Sequence, residues 1–470
     1  MQSAFLIRQE EVRRRVDALP KEIEEWLKRS SSELDLNAHH SQLSAISVLM
    51  SAILEPQKAA LAKLSADSPE FLNDIIALVS DIIRTQGIWD FFRDKLELRF
   101  SPEFKEALWV ADSVAWNCHR PVLDEAVQHG ILKAEELREP PLTYLTAEFS
   151  PATWVRFSEP NDGRNLYLGT ARLPIPVIEL PWDHVANTWE FLSLHHEVGH
   201  DLEADLNLQP SLQLSLQQGL AAASVPQGRI QIWRAWLGEL FADLVGLQLG
   251  GPAFAESLMH LLLLPKRDVI AYRSDDPHPT HYVRILMNAA YITTLVKGDP
   301  QEPAGGPVGQ VVARLAADSL SLEKRWKDIY GEPPAVLAPF LSDFSAVFKA
   351  VMDSPLTALK GKSVRELMPF KAADDNRIRE AASYLRTGMS APAPLSIPPR
   401  HCVSAARLAI SAAAEAGDDL KTTLETINER TMKLVRDNTP GGLRGASASG
   451  PHKAFVASFA GLLHSHAGTP

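Results

Sequence analysis

Cysteine is nearly absent from this sequence, which contains only Cys118 and Cys402 among its 470 residues. Two cysteines are too few for a disulfide framework or for a zinc cluster built from thiolates. Long hydrophobic runs are missing as well, because the apolar run at residues 261–264 is far shorter than the ~18 residues of a membrane-spanning helix. We therefore expect no insertion into a membrane.

Positive charge is also in the minority. The sequence has 47 lysines and arginines but 58 aspartates and glutamates, so the net charge at pH 7 is -11. An acidic chain argues against nucleic acid or an anionic membrane surface as the main partner. Residues 1–15 contain a short apolar run followed by mixed charges, which is not the pattern of a signal peptide. We therefore expect a cytoplasmic protein that binds no nucleic acid.

What the sequence does contain is a His-Glu-x-x-His motif, formed by His196, Glu197 and His200. On a helix, histidines four residues apart lie on one face, where both imidazoles reach a single ion. Zinc binds neutral imidazole readily, and its catalytic sites use three protein ligands and a water molecule. Glu197 follows the first histidine, so it flanks that water and is a candidate general base. The motif predicts a zinc site that needs a third ligand.

The third ligand is expected within residues 230–249, which are almost wholly apolar and contain no proline. That pattern predicts a buried helix. A carboxylate in such a helix is costly unless it is paired or binds a metal. Glu239 and Asp243 are four residues apart and share a face. We predict that Glu239 completes a His-His-Glu site and that Asp243 accepts the other ring N–H of a liganding histidine.

The stretches His-Glu-Val-Gly-His (196–200) and Glu-Leu-Phe-Ala-Asp-Leu-Val-Gly (239–246) together resemble the gluzincin metallopeptidases. The likeness is closest to the prenyl-protease and HtpX-like branch, whose second motif reads Glu-x-x-Ala-Asp-x-x-Gly. Residues 278–285, His-Pro-Thr-His-Tyr-Val-Arg-Ile, are similar to the His-Pro-x-x-x-x-Arg segment of that branch. The resemblance covers roughly residues 175–295. That branch often carries membrane-spanning helices and this chain shows none, so its natural substrates are not implied here.

The third of these segments is expected to contribute to catalysis, because amide hydrolysis passes through an oxyanion that needs donors besides the metal. Candidate donors are Tyr272, His278 and Tyr282. The resemblance favours His278. Arg284 is predicted to orient Glu239 or to hold a substrate carboxylate. The alternative is structural, with His278 and Asp276 capping a helix over residues 280–296 and Arg284 serving only the fold.

Short strands are predicted at residues 142–148, 153–157, 165–169 and 175–180, between Ser-Pro, Asn-Asp-Gly and proline signals. A small sheet just before the metal helix suits a zincin, whose sheet edge commonly receives the substrate. Prolines at 174, 176 and 181 predict that the last of these is an edge strand. An extended peptide could add to such an edge through main-chain hydrogen bonds. The alternative is a strand with no ligand role.

Helical periodicity predicts the helices that contain and connect the motifs. The metal helix is placed near residues 183–207, and residues 209–231 are predicted as a connecting helix rather than a mobile lid. Gly199 beside the second ligand lets another backbone approach closely. His195 points elsewhere and is predicted to be a packed or hydrogen-bonded histidine, not a ligand.

We predict a mostly α protein with a small α+β zincin-like catalytic core and helical N- and C-terminal regions. Apolar spacing predicts N-terminal helices at 10–29, 41–63, 69–86 and 102–118 and C-terminal helices at 311–330, 335–352, 375–387 and 402–436. The predicted regions are a helical N-terminal region (1–138), the metallopeptidase core (139–297), a linker (298–310), a helical C-terminal region (311–438) and a flexible tail (439–470).

The predicted function is that of a zinc peptidase hydrolysing a peptide or protein substrate with a metal-activated water, with Glu197 as general base. The flanking helical regions are expected to control access of the substrate to the site, to bind a regulatory protein partner, or to regulate the enzyme in another way. One alternative is a zinc amidase or deacylase acting on a small molecule, which favours a deep closed pocket. The other is a non-catalytic helical interaction protein with a structural metal site, in which protein atoms fill all four positions.

Overall fold

The structure is a computed structural model, and it describes residues 2–30, 36, 39–156, 173–273, 276–297, 307–389 and 395–439. This part of the chain is mostly helical with one small three-stranded sheet, which confirms the predicted mostly α class. The strand predicted at 165–169, residues 298–306 of the predicted linker and residues 440–470 of the predicted tail lie outside the described residues.

Four long helices form the N-terminal part: α1 (Gln2–Ser30), α2 (His40–Lys63), α3 (Phe71–Glu97) and α4 (Lys105–Gln128). Their number was predicted, but α3 and α4 begin and end later than expected. Before α4 the chain first makes a turn, in which the carbonyl of Ser101 accepts from the backbone N–H groups of Phe104 and Lys105. The buried face of α3 continues through Trp89 and Leu96, and this burial extends the helix.

The sheet consists of β1 (Leu142–Thr146), β2 (Ala152–Trp154) and β3 (Val177–Pro181) in the order β1-β3-β2. The β1–β3 pair is parallel and the β2–β3 pair is antiparallel. The prediction that the strand near 175–180 is an edge strand was wrong, because β3 lies in the centre and is fully buried. Its prolines flank the strand or end it, so the N–H groups between them remain available for pairing. Among the described strands, β1 and β2 are the two edges of the sheet, and β2 is the more exposed of them.

The chain reaches the metal motif through two 3₁₀ helices, Trp182–Ala186 and Thr188–Leu192, and then enters α5 (Ser193–Asp205). The predicted metal helix therefore begins at Ser193 rather than near residue 183. Asn187 has φ −135° and ψ 66°, a non-helical conformation that separates the two 3₁₀ helices. Apolar spacing alone does not reveal such a local break.

Six helices follow: α6 (Gln209–Ala222), α7 (Gln227–Ala235), α8 (Leu237–Gly250), α9 (Pro252–Leu261), α10 (Lys266–Val269) and α11 (His281–Ile292). The connecting helix predicted at 209–231 is thus two helices, and α6 packs Leu212, Leu216 and Leu220 into the core. The helix predicted at 230–249 is interrupted near Trp236, where α7 ends and α8 begins.

The C-terminal part contains α12 (Pro307–Tyr330), α13 (Ala338–Leu341), α14 (Phe344–Phe348), a π-helical segment (Lys349–Asp353), α15 (Val364–Leu367), α16 (Ala372–Thr387), α17 (Pro399–Ala416) and α18 (Leu420–Asp437). The single helix predicted at 402–436 is divided by Gly417, whose φ of +75° lies in the left-handed region that glycine adopts readily. The helix predicted at 335–352 is likewise three shorter pieces.

One hydrophobic core extends along the chain from Ala107 to Val435 and includes residues of α4, α5, α8, α9, α11 and the C-terminal helices. Helix α5 packs against α4 and α8, and α17 packs against α16 and α18 and also reaches α4, α8 and α9. Helix α8 is buried on nearly all sides. Helices α5 and α8, which carry the His-Glu-x-x-His motif and Glu239, therefore lie side by side in the hydrophobic core.

Candidate metal centre

Three side chains from two helices converge at one point. His196 and His200 of α5 bring their Nε2 atoms within 3.2 Å of each other. The carboxylate of Glu239, from α8, lies 3.4 Å from each of these nitrogen atoms. Within the described ranges, these three residues are the one group of histidine, cysteine and carboxylate side chains that could hold a metal ion. The predicted third ligand is therefore beside the two imidazoles.

Asp243 lies one turn after Glu239 and sets the orientation of His196. Its Oδ1 atom is 2.9 Å from the Nδ1 atom of His196, where the ring N–H donates to the carboxylate. A neutral ring with its proton on Nδ1 presents the lone pair of Nε2 to the convergence point. Asp243 is fully buried, as expected for a carboxylate that serves another side chain rather than solvent.

Arg284 from α11 completes this network. Its guanidinium donates to both oxygens of Asp243, at 2.6 and 2.7 Å, and lies 3.3 Å from Glu239. Asn288, one turn further along α11, also donates to Asp243. Because the guanidinium is buried and already paired with protein carboxylates, the geometry favours the predicted orienting role of Arg284 over the predicted contact with a substrate carboxylate.

The charges around this point favour a cation. Burial opposes ionisation of Glu239, but the hydrogen bonds from His196 and His200 hold the pKa of its carboxyl well below the usual range. Burial likewise disfavours a charged imidazole, yet the hydrogen bonds to Asp243 and Glu239 raise the pKa of His196 to about 10. The same carboxylates that stabilise a proton on His196 would stabilise a metal cation in its place.

Glu197 is nearly buried and lines the cavity beside the two imidazoles. Burial raises the pKa of its carboxyl, although the nearby imidazoles act in the opposite direction. A carboxylate with a raised pKa accepts a proton more readily than an exposed one. This placement is the one that the sequence predicts for the general base.

His278 is also brought to the site, on the loop before α11. Its Nε2 atom lies 3.6 Å from Glu239, and its ring is about half exposed. Its Nδ1 atom is 3.1 Å from the carboxylate of Asp276, which also accepts the backbone N–H of His278. Asp276 therefore fixes the ring with Nε2 directed towards the metal ligands.

The prediction that Tyr282 contributes to the site was wrong. Its hydroxyl donates to the backbone carbonyl of Gly331 at 2.6 Å, and its ring packs near Trp326 in the core. On α11, Tyr282 is two positions from Arg284, and two positions correspond to roughly 200° around a helix. The two side chains therefore cannot both face the metal ligands. His281, the residue before Tyr282, lines the cavity instead.

The three candidate ligands lie in the wall of a cavity of about 820 Å³ that is partly open to solvent. Residues 149–153 and 155, which include two positions of the edge strand β2, form one wall of this cavity. Apolar side chains around α9, among them Phe254 and Leu258, form another. Glu203 lines the cavity one turn beyond His200, and sequence reasoning assigned it no role although it continues the histidine stripe on α5.

His195 is packed and hydrogen-bonded, as predicted. Its ring nitrogens lie 3.1 and 3.2 Å from the backbone carbonyls of Leu192 and Arg400. Burial lowers the pKa of His195 to about 3, so the ring is neutral at physiological pH. It joins α5 to α17 and points away from the convergence of the ligands.

In comparisons with known proteins, no protein-family model, no curated protein sequence and no solved structure matches this chain. None of the helices in the described part of the chain combines the length and apolarity that a bilayer crossing requires.

Gly199 lies where α5 and α8 approach each other closely, which confirms the prediction for this glycine. A Cβ atom at this position would be 2.9 Å from the Cα atom of Ala242. Gly199→Ala is therefore expected to lower the free energy of unfolding by about 1–3 kcal/mol, despite the better helix propensity of alanine. It should also weaken metal binding, because the two helices carry all three ligands. Urea unfolding and metal titration measure these two effects.

Gly228→Ala on α7 is the matched control, because a Cβ atom there would meet nothing within 4 Å. We expect this control to be as stable as the wild type or slightly more stable. Wild-type stability and metal affinity in Gly199→Ala would show that the close helix contact has no role in placing the ligands.

Proposed function

We propose that this chain is a zinc-dependent peptidase with a zincin-like core. The observation that carries the proposal is the convergence of His196, His200 and Glu239 in the wall of a cavity, with Glu197 beside them. Three protein ligands leave a position of a tetrahedral ion for water or substrate, as catalytic zinc sites do. A purely structural zinc site would need a fourth protein ligand, and the described residues offer a group of three.

The donor set fits zinc in both type and spacing. Two imidazole nitrogens and one carboxylate oxygen are ligands that zinc accepts readily. Ligand atoms about 2.0–2.1 Å from a tetrahedral ion lie roughly 3.3 Å from one another. The two Nε2 atoms are 3.2 Å apart, and each oxygen of Glu239 lies 3.4 Å from one of them, Oε2 from His196 and Oε1 from His200. His196, His200 and Glu239 would thus hold the ion once a single oxygen of Glu239 faces both nitrogens.

A zinc ion bound here would polarise the scissile carbonyl and lower the pKa of a bound water to about 7. Glu197 accepts a proton from the attacking water while the water oxygen forms a bond to the carbonyl carbon. His278, whose Nδ1–H donates to Asp276, in its doubly protonated form donates its Nε2–H to the oxyanion that develops. Glu197 then delivers the proton to the leaving amine as the carbon–nitrogen bond breaks. The raised pKa of Glu197 supports this role, because it strengthens the carboxylate as a base.

The surroundings of the site support a peptide as substrate. The cavity borders β2, one of the two edge strands of the described sheet, and is partly open, as a groove for an extended chain would be. An extended peptide can pair with such an edge through main-chain hydrogen bonds. A deep, closed pocket would instead have favoured an amidase or deacylase acting on a small molecule. The same proposal includes a relationship to the gluzincin metallopeptidases and a cytoplasmic location.

The proposal is tested by measuring metal content and hydrolysis of a peptide library by the purified protein. We expect bound zinc, cleavage of peptide bonds, loss of cleavage after treatment with a chelator, and recovery when zinc is returned. Cleavage that persists in fully metal-free protein would contradict a metal-dependent mechanism. A zinc-loaded protein that cleaves no peptide would contradict the peptidase assignment.

His278→Ala is expected to lower kcat on the order of 10²-fold with little change in KM, because the lost donor acts on charge that develops in the transition state. The ring is half exposed, so its removal should not disturb folding. Steady-state kinetics on one cleaved peptide measures the effect. His129→Ala, on the surface beyond α4, is the control. An effect confined to KM would place His278 in substrate binding instead.

A further inference from the structure

Glu203 is a carboxylate of the cavity wall that has no hydrogen-bond or ion-pair partner among the described residues. It lies on α5, three residues after His200 and seven after His196, so it shares the stripe of the two histidines. Its Oε1 atom is buried and accepts no hydrogen bond. Across the described ranges, no lysine or arginine forms an ion pair with Glu203. Burial raises the pKa of this carboxyl, and His200 offsets that effect only in part.

Each of the other carboxylates of the cavity has an arginine nearby. Glu190 faces Arg407 at 4.0 Å, and Glu239 contacts two imidazoles and Arg284. Both imidazoles and Arg284 also lie near Glu197. An uncompensated, partly buried carboxylate costs stability, so Glu203 differs from its neighbours in needing a cation that the described residues do not supply.

A second feature of the same place also favours a cation. Glu203 lies in the last turn of α5, where the helix dipole places a partial negative charge, equivalent to about half an electron. The last turn of α5 contains no basic residue to balance that charge. The adjoining part of the cavity wall consists of Ala204, Asn207 and Gln209, which are uncharged. The carboxylate of Glu203 and the C-terminal end of α5 therefore both attract a cation to this part of the cavity.

The position along α5 indicates which part of a substrate would reach Glu203. Three residues along a helix correspond to roughly 4.5 Å, and one residue of an extended peptide spans about 3.3 Å. A substrate group bound at Glu203 therefore belongs to one of the residues next to the bond that is cleaved.

We propose that Glu203 determines specificity by binding a cationic group of the substrate next to the scissile bond. The group is either the ammonium or guanidinium of a lysine or arginine side chain, or the free amino group at the start of a peptide. This inference rests on the proposed peptidase function and adds the chemical class of the substrate.

The test compares peptides that differ only in this charge. One pair has lysine or norleucine next to the cleaved bond, and a second pair has a free or an acetylated amino terminus. We expect the wild type to favour the cationic member of one pair by on the order of tenfold or more in kcat/KM. Glu203→Gln should remove that preference and leave cleavage of the neutral member nearly unchanged. Glu380→Gln, an exposed residue of α16, is the control and should keep the preference.

The pair that shows the preference identifies the source of the cation. Equal cleavage of both members of both pairs by the wild type would overturn the proposal while leaving the peptidase function intact. A loss in Glu203→Gln that is equal for cationic and neutral peptides would also overturn it, because such a loss indicates support of the metal site rather than recognition.

Two further measurements do not depend on turnover. Binding of the same peptides to zinc-loaded Glu197→Gln, with and without Glu203→Gln, should show the same preference by isothermal titration. This binding measurement tests the proposal even if the wild type cleaves no peptide. A preference for cationic peptides that disappears in Glu203→Gln supports cation binding by Glu203. Equal binding of cationic and neutral peptides before that change overturns it. The Tm of Glu203→Gln should equal or exceed that of the wild type, because no partner is lost, whereas a structural role predicts a lower Tm.

Discussion

Zinc-loaded Glu197→Gln is expected to retain the metal and to lose hydrolysis by a factor on the order of 10³, within the 10²–10⁴ range of general acid–base catalysis. Glutamine has nearly the same shape as glutamate but cannot accept the proton of the attacking water. Glu197 lies beside the ligand imidazoles and is not a member of the ligand group, so the metal site itself should remain. Metal analysis and steady-state kinetics on the same preparation measure the two properties together.

The control for this variant is Glu380→Gln, which makes the same chemical change on an exposed surface of α16. We expect the control to keep wild-type kinetics. Turnover near the wild-type rate in zinc-loaded Glu197→Gln would exclude Glu197 as the general base. Loss of zinc together with activity would show instead that the carboxylate serves the metal site.

Asp243→Asn is expected to affect both the fold and the metal. Asp243 is fully buried and accepts hydrogen bonds from Arg284, Asn288 and His196. Removing its charge leaves the buried guanidinium of Arg284 with less compensation, and breaking a buried ion pair in this way costs about 3–5 kcal/mol. The orientation of His196 is lost as well, for which about a 10- to 100-fold weaker metal affinity is expected.

Asp112→Asn separates these two effects. Asp112 is a buried carboxylate that pairs with Arg99 at 2.9 Å and also accepts a hydrogen bond from Thr143, away from the metal ligands. This control should destabilise the protein by a comparable amount without changing metal affinity. Denaturant unfolding and zinc competition titration measure the two quantities. Equal loss of zinc affinity in both variants would mean that Asp243 acts only through global stability.

The group formed by His196, His200 and Glu239 could be predicted from the sequence for two reasons. The two histidines are related locally along one helix, and a carboxylate in an apolar helix is costly without a partner. His196 and His200 face one ion wherever that stretch is helical. Glu239 stood out because a carboxylate in an apolar helix requires a partner. Gly199 was predicted to allow a close backbone contact, and that contact with Ala242 is present.

The errors arose where side-chain direction or strand order depends on packing elsewhere in the chain. Tyr282 and Arg284 point to different sides of α11, and the packing of α11 against α8 and α12 decides which side meets the candidate ligands. The central position of β3 is set by pairing with β1 and β2, and flanking prolines say nothing about those partners. Glu203 was not predicted as a site residue because acidic residues are common near helix ends. Its position in the cavity wall and its lack of a partner among the described residues are visible only in the structure.

A catalytic metal centre here requires that three side chains of α5 and α8 hold one metal ion with a position left open. Anomalous X-ray diffraction from zinc-loaded crystals tests this directly. We expect one peak within about 2.0–2.2 Å of the ligand atoms of His196, His200 and Glu239, with a water molecule in the remaining position. The absence of a peak there, or a protein atom in the fourth position, would contradict a catalytic metal centre.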